Sequence, residues 1–474
     1  MSAAAPAEAP GRALARDLMA ALGVDAVRRL APGGAAAVYA AADRRIAAID
    51  RLLTDQVNAI LHHERFQALE AAWRGLAYLV TAAPRGSRLR IKILPVSWRE
   101  LARDIERADD IENSAIFTRI HTNEFDMPGG EPFGLLVGAY AVQHRPRANG
   151  VDDIATLRGL ARVGSAAFAP VVVGAEPGLL GLTSFRDLGP DVDLDRIMRQ
   201  RAYTRWHALQ AEADARFLGV ALPPILLRTP YREGERGDGF RFAERVREGG
   251  PDGHLWGNPA FAFAAVVARC FAETGWFADI RGAPRGEARG GLVTGLPAPD
   301  AALDGPGGMH RQPVAISLSE TQEHALARLG FVTLVANPFT PYAAFHATPS
   351  VWRPEGDAGT RLAGMLHYLL CVSRFAHVIK ILGREMLGKY TTTAECEERL
   401  QAWLAAYTVA PLDGQDDAAL LARYPLRSAD VRVREHPGRP GAYRCTLALQ
   451  PQHQIDHLIG GFQVTTELAR AGSA

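Results

Sequence analysis

Two short motifs in this sequence have residue types that suggest ligand binding. The pair His62-His63 could bind a metal, but neighbouring helical residues point about 100° apart and no HExxH motif or third His/Asp partner stands at ligand spacing. Residues 383–390 nearly match the phosphate-binding loop GxxxxGK[ST], but Tyr390 replaces the hydroxyl residue that binds Mg²⁺, and no apolar strand precedes Gly383. We therefore expect a capping or surface role for the histidines and a continuous helix across the second motif.

The loop Gly129-Gly130-Glu131-Pro132 is the most enzyme-like feature. A glycine pair permits close backbone approach, and Glu131 could act as an acid or base. No second titratable group is evident nearby to shift its pKa, so a tight turn before a buried strand is favoured. The sequence also lacks a GxSxG elbow, a GxGxxG loop after a strand and a Cys-His signature. We therefore expect no catalytic residue, no metal and no cofactor.

Composition excludes several classes of protein. The 474 residues include 53 basic and 52 acidic ones, so a net charge of +1 offers no global field for nucleic acid or an anionic membrane. Cys270, Cys371, Cys396 and Cys445 lack CxxC spacing and are predicted to be reduced core thiols. No apolar run is long enough to span a bilayer, and the N-terminus lacks a signal-peptide pattern. A cytoplasmic protein is expected, without membrane insertion.

Two consecutive helices are predicted between residues 48 and 80, separated near His62-His63. The apolar residues of the second helix step by 3, 4, 3 and 4, the period of one helical face. We predict that these faces are buried against the rest of the protein. Their members are Ile49, Leu52, Leu53, Val57, Ile60, Leu61, Phe66, Leu69, Trp73, Leu76 and Val80.

The middle of the chain alternates strands with helices. Residues 88–96 alternate apolar and basic side chains, which predicts a half-buried strand. Short, wholly apolar segments between helices predict a sheet that helices cover on both faces. The apolar segments are 134–138, 170–174 and 219–227, with further strands at 313–318 and 331–335; helices are predicted at 115–121, 151–168, 256–275 and 320–329.

The C-terminal region differs in texture. Two predicted helices, 361–390 and 393–407, precede strands at 429–435, 443–449 and 460–468, which together make a small α+β domain from about residue 356. The first helix carries basic residues at spacings of 6, 4 and 5. This stripe is either a solvated face or a surface for an acidic protein partner. It comprises Arg374, Lys380, Arg384 and Lys389.

Several segments in a fixed order resemble one family. The chain is similar to the large subunit of the contractile sheath of bacterial type VI secretion systems, the TssC/VipB/EvpB family. The resemblance rests on QVNAILHH and FQALEAAWRGL (56–76), GGEPFGLLVG (129–138), HLWGNPAFAFA (254–264), ETGWFADIRG (273–282), LGFVTLV (329–335), SRFAHVIK (373–380) and the closing strands.

The resemblance implies an α/β body with a mixed, helix-covered sheet of the contractile tail-sheath type over residues 46–355. It implies a gp25-like domain facing the tube over 356–474, after a short, variable and partly disordered extension, 1–45. Implied partners are a small sheath subunit (TssB/VipA type), copies of itself in stacked hexameric rings, an inner tube protein (Hcp type), a baseplate and an AAA+ recycling ATPase (ClpV type). The basic stripe and the last strand form the predicted interface, namely Arg374, Lys380, Arg384, Lys389, Phe462, Val464 and Thr466.

The sequence departs from the family in its first 45 residues, which are shorter and richer in Ala, Gly and Pro than usual. This suggests a shorter paralogue with altered ATPase recognition or subunit linkage. Ala139 also stands where an Asp is usual. Two alternative functions stay open at this point. One is a sheath-like accessory or baseplate component that binds without polymerising, and the other is an enzyme that uses the Glu131 loop.

Overall fold

The structure is a computed structural model. It describes residues 16–17, 19–21, 23–84, 86–232, 240, 242–246, 253–277, 279–283, 289–299, 312–336, 342–354, 363–386, 393–409, 423–435, 443–451 and 462–468. The chain divides into two compact units, the first comprising Met1–Glu70 with Thr229–His254 and the second Ala71–Arg228 with Leu255–Ala474.

The first unit is built around a long helix. Helix α1 (Val24–Leu30) is followed by a 3-10 turn at Ala31–Gly33 and by α2 (Gly34–Leu61), which runs for 28 residues. His62 is the C-cap of α2, which confirms the capping role expected of it. The helix α3 (Glu64–Ala82) follows, and the boundary between the units falls within it.

The second unit contains a six-stranded sheet. Its order is β1-β2-β3-β7-β8-β6, in which β1, β2, β3 and β7 are parallel and β8 and β6 are antiparallel. The sheet is therefore mixed, as predicted. The strands are β1 (Leu136–Val142), β2 (Val171–Ala175), β3 (Leu218–Leu222), β6 (Leu292–Val293), β7 (Phe331–Ala336) and β8 (Ala343–Phe345); β4 (Ile225–Arg228) and β5 (Leu255–Gly257) form a separate antiparallel pair.

Helices cover both faces of this sheet. Because successive strand residues point to opposite faces, Val171 and Val173 pack with one helix layer and Val172 with the other. The first layer includes the helix Asp153–Ala167 and the second includes the helix Ala260–Thr274. The helices of this region are α4 (Trp98–Arg107), α5 (Ala115–Phe117), α6 (Asp153–Ala167), α7 (Leu194–Met198), α8 (Thr204–Ala211), α9 (Ala260–Thr274) and α10 (Glu320–Arg328).

The C-terminal elements form the predicted helix-helix-meander. Helices α11 (Leu366–Met386) and α12 (Thr393–Ala405) pack with the antiparallel strands β9 (Leu426–Glu435), β10 (Tyr443–Pro451) and β11 (Phe462–Leu468). Contrary to the sequence-based expectation, one helical window within the described part of the chain, Leu366–Gly383, is long and apolar enough to cross a bilayer, and 72% of it is buried in the protein. Such burial is typical of a core helix.

Two local predictions were wrong. Residues 88–96 are extended but belong to no strand, and 313–318 contribute only an isolated bridge between Val314 and Ile225. The helix predicted at 115–121 is present, as a short α-helix, Ala115–Phe117, that continues as a π-helix, Thr118–Asp126. An alternating pattern predicts an extended backbone. It does not show whether another strand lies beside that segment and pairs with it.

Cys270, Cys371 and Cys445 are buried, as predicted, whereas Cys396 is only partly buried; all four are free thiols. Burial raises the pKa of Cys270 to about 12, and burial also raises the pKa of Cys371. Because the thiolate is the reactive form, these two side chains are inert at neutral pH and act as small apolar residues of the core.

Gly291 stands where no side chain fits. A Cβ atom there would lie 2.2 Å from the carbonyl oxygen of Phe345. The Gly291 N–H donates to Gly282 O at 2.7 Å, and its carbonyl accepts from the Phe345 N–H at 3.0 Å, so neither neighbour can move freely. We expect Gly291→Ala to lower the free energy of unfolding by roughly 2–3 kcal/mol.

Thermal unfolding of the variant and of a matched control tests this prediction. Gly189→Ala is the control, because a Cβ there meets nothing within 4 Å. A Gly291→Ala protein as stable as the Gly189→Ala protein would contradict the close approach at this site.

Candidate assembly interface

The apolar face predicted on α2 and α3 is mostly exposed to solvent, so the prediction that it packs against the body was wrong. Of the eleven residues, Leu61 is buried, whereas seven are exposed and three are half-buried. The exposed residues are Ile49, Leu52, Leu53, Ile60, Leu69, Trp73 and Val80.

The second-unit part of α3 buries a different side. Gly75 and Leu79 are its buried residues, four positions apart, so they lie on one helix face. A Cβ at Gly75 would lie 2.3 Å from the ring of Phe261, so α3 approaches α9 closely there. Because the helix packs through this glycine, Trp73 and Val80 are left in solvent.

Helix α2 is held within the first unit by polar contacts of its last turns. The Arg245 N–H donates to Asn58 Oδ1 at 2.9 Å, and the Arg245 guanidinium pairs with Asp55. His62 Nε2 lies 3.0 Å from Oε1 of Glu244, a carboxylate whose side chain is fully buried. These contacts mark the side of α2 that faces its own unit.

The exposed residues of α2 recur every seven positions on another side of the helix. Tyr39, Ile46, Leu53 and Ile60 are each 40% to 55% exposed. In a heptad repeat they occupy the a positions, and Ile49, also exposed, occupies a d position. Asn58 falls at an f position, opposite the a/d seam. We call Tyr39, Ile46, Ile49, Leu53 and Ile60 the α2 seam; it faces away from the contacts that hold the helix.

The basic stripe predicted on α11 is partly inside the protein. Lys380 is only 9% exposed, and its Nζ donates to Asp126 Oδ1 at 2.8 Å and lies 3.8 Å from the centre of the Phe125 ring. The Arg374 guanidinium lies 5.3 Å from the Phe271 ring centre, and burial lowers the pKa of Arg374. Both cations therefore have neighbours within their own chain.

The other predicted interface residues lie at the end of the α11 stripe and in β11. Arg384 lies within the described part of α11, whereas Lys389 lies outside the described residues. In β11, Phe462, Val464 and Thr466 stand opposite Leu449, Leu447 and Cys445 of β10. Among the described strands, β11 is an edge of its three-stranded sheet. The interface role of Arg374, Lys380, Arg384, Lys389, Phe462, Val464 and Thr466 stays a prediction.

The glycine-rich loop is a turn, as predicted. The Gly130 N–H donates to Met127 O at 3.1 Å, and Gly129 has a φ of 84°, which favours glycine. The Glu131 carboxylate forms ion pairs with Arg90 and Lys92. Glu131 therefore takes part in ion pairs at the surface, and its surroundings do not indicate acid or base chemistry. The second candidate motif is also structural over its described part, because Gly383–Met386 belongs to α11.

Comparison with known proteins identifies the class to which this fold belongs. The sequence model of the EvpB/VC_A0108 tail sheath N-terminal domain matches residues 43–352, and that of the EvpB/VC_A0108 tail sheath gpW/gp25-like domain matches residues 355–468. The type VI secretion system sheath protein TssC1 of Pseudomonas aeruginosa is 33% identical over 441 residues, which cover 90% of this chain and 86% of that protein.

The chain belongs to the EvpB/VipB family of type VI secretion tail sheath proteins, as its motifs predicted. It is a structural subunit of a contractile sheath. The accessory role and the enzymatic role are not favoured. A UDP-N-acetylenolpyruvoylglucosamine reductase of Staphylococcus saprophyticus is 27% identical over 126 residues, but this match covers only 25% of the chain and 41% of that enzyme.

Two solved sheath structures are also similar. The helical sheath of the anti-feeding prophage in the contracted state aligns with a TM-score of 0.35 at 12% identity, over 84% of this chain and 83% of that chain. The PVC sheath complex of an extracellular contractile injection system aligns with a TM-score of 0.33 at 15% identity, over 72% and 68%. The family assignment rests on the two sequence models and the Pseudomonas relative.

Proposed function

We propose that this chain is the large sheath subunit, that it pairs with a small sheath subunit, and that the pairs stack as hexameric rings around an inner tube. Shortening of the sheath would drive the tube outward. The work then comes from a better-packed assembled state, so the protein needs no catalytic residue and no cofactor. The proposed location is the bacterial cytoplasm, with a baseplate at one end of the sheath and an AAA+ ATPase that recycles it.

The observation that carries the pairing is the α2 seam. Soluble monomers rarely expose large contiguous apolar patches, so a row of half-exposed Tyr, Ile and Leu side chains marks a surface for a partner. The seven-residue spacing selects the partner's shape, because a and d residues pack into the holes of a facing helix. From Tyr39 to Ile60 the seam is about 32 Å long at 1.5 Å per residue. We therefore assign it to a helix of the small sheath subunit.

Charges in the seam test this proposal directly. We expect Ile46→Asp combined with Leu53→Asp to weaken binding of the small sheath subunit at least 100-fold, because two carboxylates would be buried without partners. Size-exclusion chromatography of the two co-expressed subunits and electron microscopy of tubes measure the effect. Loss of both the complex and the tubes is the expected result.

The control places the same charges on the same helix but outside the seam. Ala40 and Ala47 are exposed and are also seven residues apart, at b positions. We expect Ala40→Asp with Ala47→Asp to assemble like the parent chain. If the parent chain itself forms no complex with the small subunit, the proposed function fails. If the seam variant assembles normally, another surface carries the pairing.

A further inference from the structure

Residues 88–96 form an extended segment that has the sequence of a strand but no strand partner. Among the described residues, no backbone N–H or C=O of 88–95 has a hydrogen-bond partner, and Val96 O accepts only from the Tyr140 hydroxyl, at 2.6 Å. We call this stretch the 88–96 segment. Its alternation of apolar and basic residues predicted a paired strand; the backbone is extended, but the pairing is missing.

The segment is fixed to the second unit through its basic side chains. Lys92 Nζ donates to Glu124 Oε1 at 2.6 Å, and the Arg90 guanidinium pairs with Glu131. The apolar side chains between and after them are exposed, and Ile93 reaches 63%. Ile91 and Leu94 are the other two exposed residues. An extended segment with exposed apolar side chains and an unpaired backbone is a template for another strand.

The free edge of β1 lies beside this segment. Lys92 lies 5.4 Å from the Phe133 ring centre, and the Tyr140 hydroxyl reaches Val96, so the segment and the chain into β1 run in the same direction. The Leu136 N–H donates to Pro170 O, which directs Leu136 toward β2. In a parallel ladder neighbouring residues direct their backbone groups to opposite edges, so Val137, which is in register with Val172, directs its groups away from β2. Among the described strands, β1 is the edge of its sheet, and none pairs with it on this side.

The charge of the 88–96 segment indicates whether its partner strand comes from a second copy of this chain or from a different chain. Residues 88–96 contain Arg88, Arg90 and Lys92 and no acidic residue. Pairing this segment with the same segment of another copy would place basic side chains opposite one another on one face, which is destabilising. The Arg90 side chain is still 72% exposed in its pair with Glu131, so its guanidinium can accept a second carboxylate. The complementary strand is apolar on one face and acidic on the other.

We propose that the 88–96 segment and the free edge of β1 form a docking site for an extended strand of the small sheath subunit, with apolar and acidic residues in alternation. This proposal rests on the proposed function for its partner. It concerns the α/β body, not the three-stranded sheet that contains β11. Main-chain hydrogen bonds supply the binding, and the two faces of the segment select the partner's sequence.

Hydrogen exchange measured by mass spectrometry tests the site in the full chain, alone and co-purified with the small sheath subunit. We expect the amides of residues 89–94 to exchange rapidly in the free chain and at least 100-fold more slowly in the complex. Equal exchange in a complex that has formed would overturn this inference and leave the proposed function standing. Failure to form any complex would overturn both.

A variant gives an independent measurement. We expect Ile93→Asp to raise the dissociation constant of the two subunits at least tenfold, since it places a carboxylate among apolar side chains. Met127→Asp is the matched control, because Met127 is also an exposed apolar residue of the second unit, at 53%. Equal affinity for the two variants would overturn the proposal. Thermal unfolding of each free variant checks that neither change disrupts the fold.

Discussion

Replacing Asp153 with alanine is expected to lower the free energy of unfolding by about 2–4 kcal/mol, because it removes a buried acceptor shared by several donors. The Asp153 side chain is fully buried at the start of α6 and forms an ion pair with Arg147 at 2.8 Å. It also accepts from the Trp98 indole N–H at 2.7 Å and from the Gln143 N–H at 3.0 Å. Removing it leaves the Trp98 and Gln143 N–H donors without their acceptor, and it leaves Arg147 with Glu176 as its remaining carboxylate partner.

Equilibrium unfolding in urea, followed by tryptophan fluorescence, measures this change. Asp195→Ala is the matched control, because Asp195 forms an ion pair with Arg328 in which both side chains are largely exposed. Such surface pairs contribute about 0–1 kcal/mol. If the two alanine variants were equally stable, Asp153 would not hold α4, α6 and the 143–147 loop together.

Acidification is expected to destabilise the protein through His377. Burial lowers the pKa of His377 to about 4, from an ordinary value of 6.5; its hydrogen bond to Ala167 O opposes this shift, and the charges of Arg374 and Lys380 add to it. In the unfolded chain the imidazole takes up a proton near its ordinary pKa, whereas in the folded protein it stays neutral until about pH 4. Stability is therefore complete above pH 6.5, falls between pH 6.5 and 4, and loses no more from this group below that.

The size of this effect follows from the difference in pKa between the two states. A difference of two to three pH units corresponds to about 3 kcal/mol. His377→Gln keeps an N–H that can donate to Ala167 O but removes the titration. We expect urea unfolding at pH 7 and pH 4 to show a smaller loss of stability for this variant, by about 3 kcal/mol. A His377→Gln protein with the parent slope would contradict this assignment.

The sequence predicted most elements whose burial shows in their composition. The α9 run Ala260–Thr274 is apolar nearly all round, which restricts it to a core, and Gly275 ends it with a φ of 77°. The wholly apolar strands β2 and β3 are the buried centre of the sheet for the same reason. The meander of β9, β10 and β11 followed from alternation along each strand.

The sequence predicted less well what covers each apolar surface. The apolar residues of α2 from Ile49 onward were predicted to be buried, but their pattern could not distinguish the protein's own body from another chain. The 88–96 segment shows the same limit for strands. Both errors fall on surfaces that we assign to partners. The sequence pattern predicts that Ile93 and Leu53 are buried. In the assembly that we propose, a partner chain would bury them.

Contacts between distant parts of the chain were also beyond the sequence pattern. Helical spacing placed Lys380 on a basic stripe, but its partner Asp126 is 254 residues away, at the end of the π-helix. The sequence also does not predict the role of Asp153, which follows the N-cap Asp152, because no local pattern connects Asp153 with Trp98, 55 residues earlier. A carboxylate at the start of a predicted helix, next to a better capping candidate, is the only signal that could have drawn attention to it.

Helix α11 has a mechanical consequence for a subunit that must carry load. Its first residues, Leu366 and Leu370, belong to the core of the α/β sheet, whereas Phe375 and Ile379 belong to the core of the C-terminal meander. Lys380 and His377 bond the same helix to Asp126 and Ala167. Because one helix contributes to both cores, we expect tension applied to β9–β11 to be transmitted to the α/β sheet through α11.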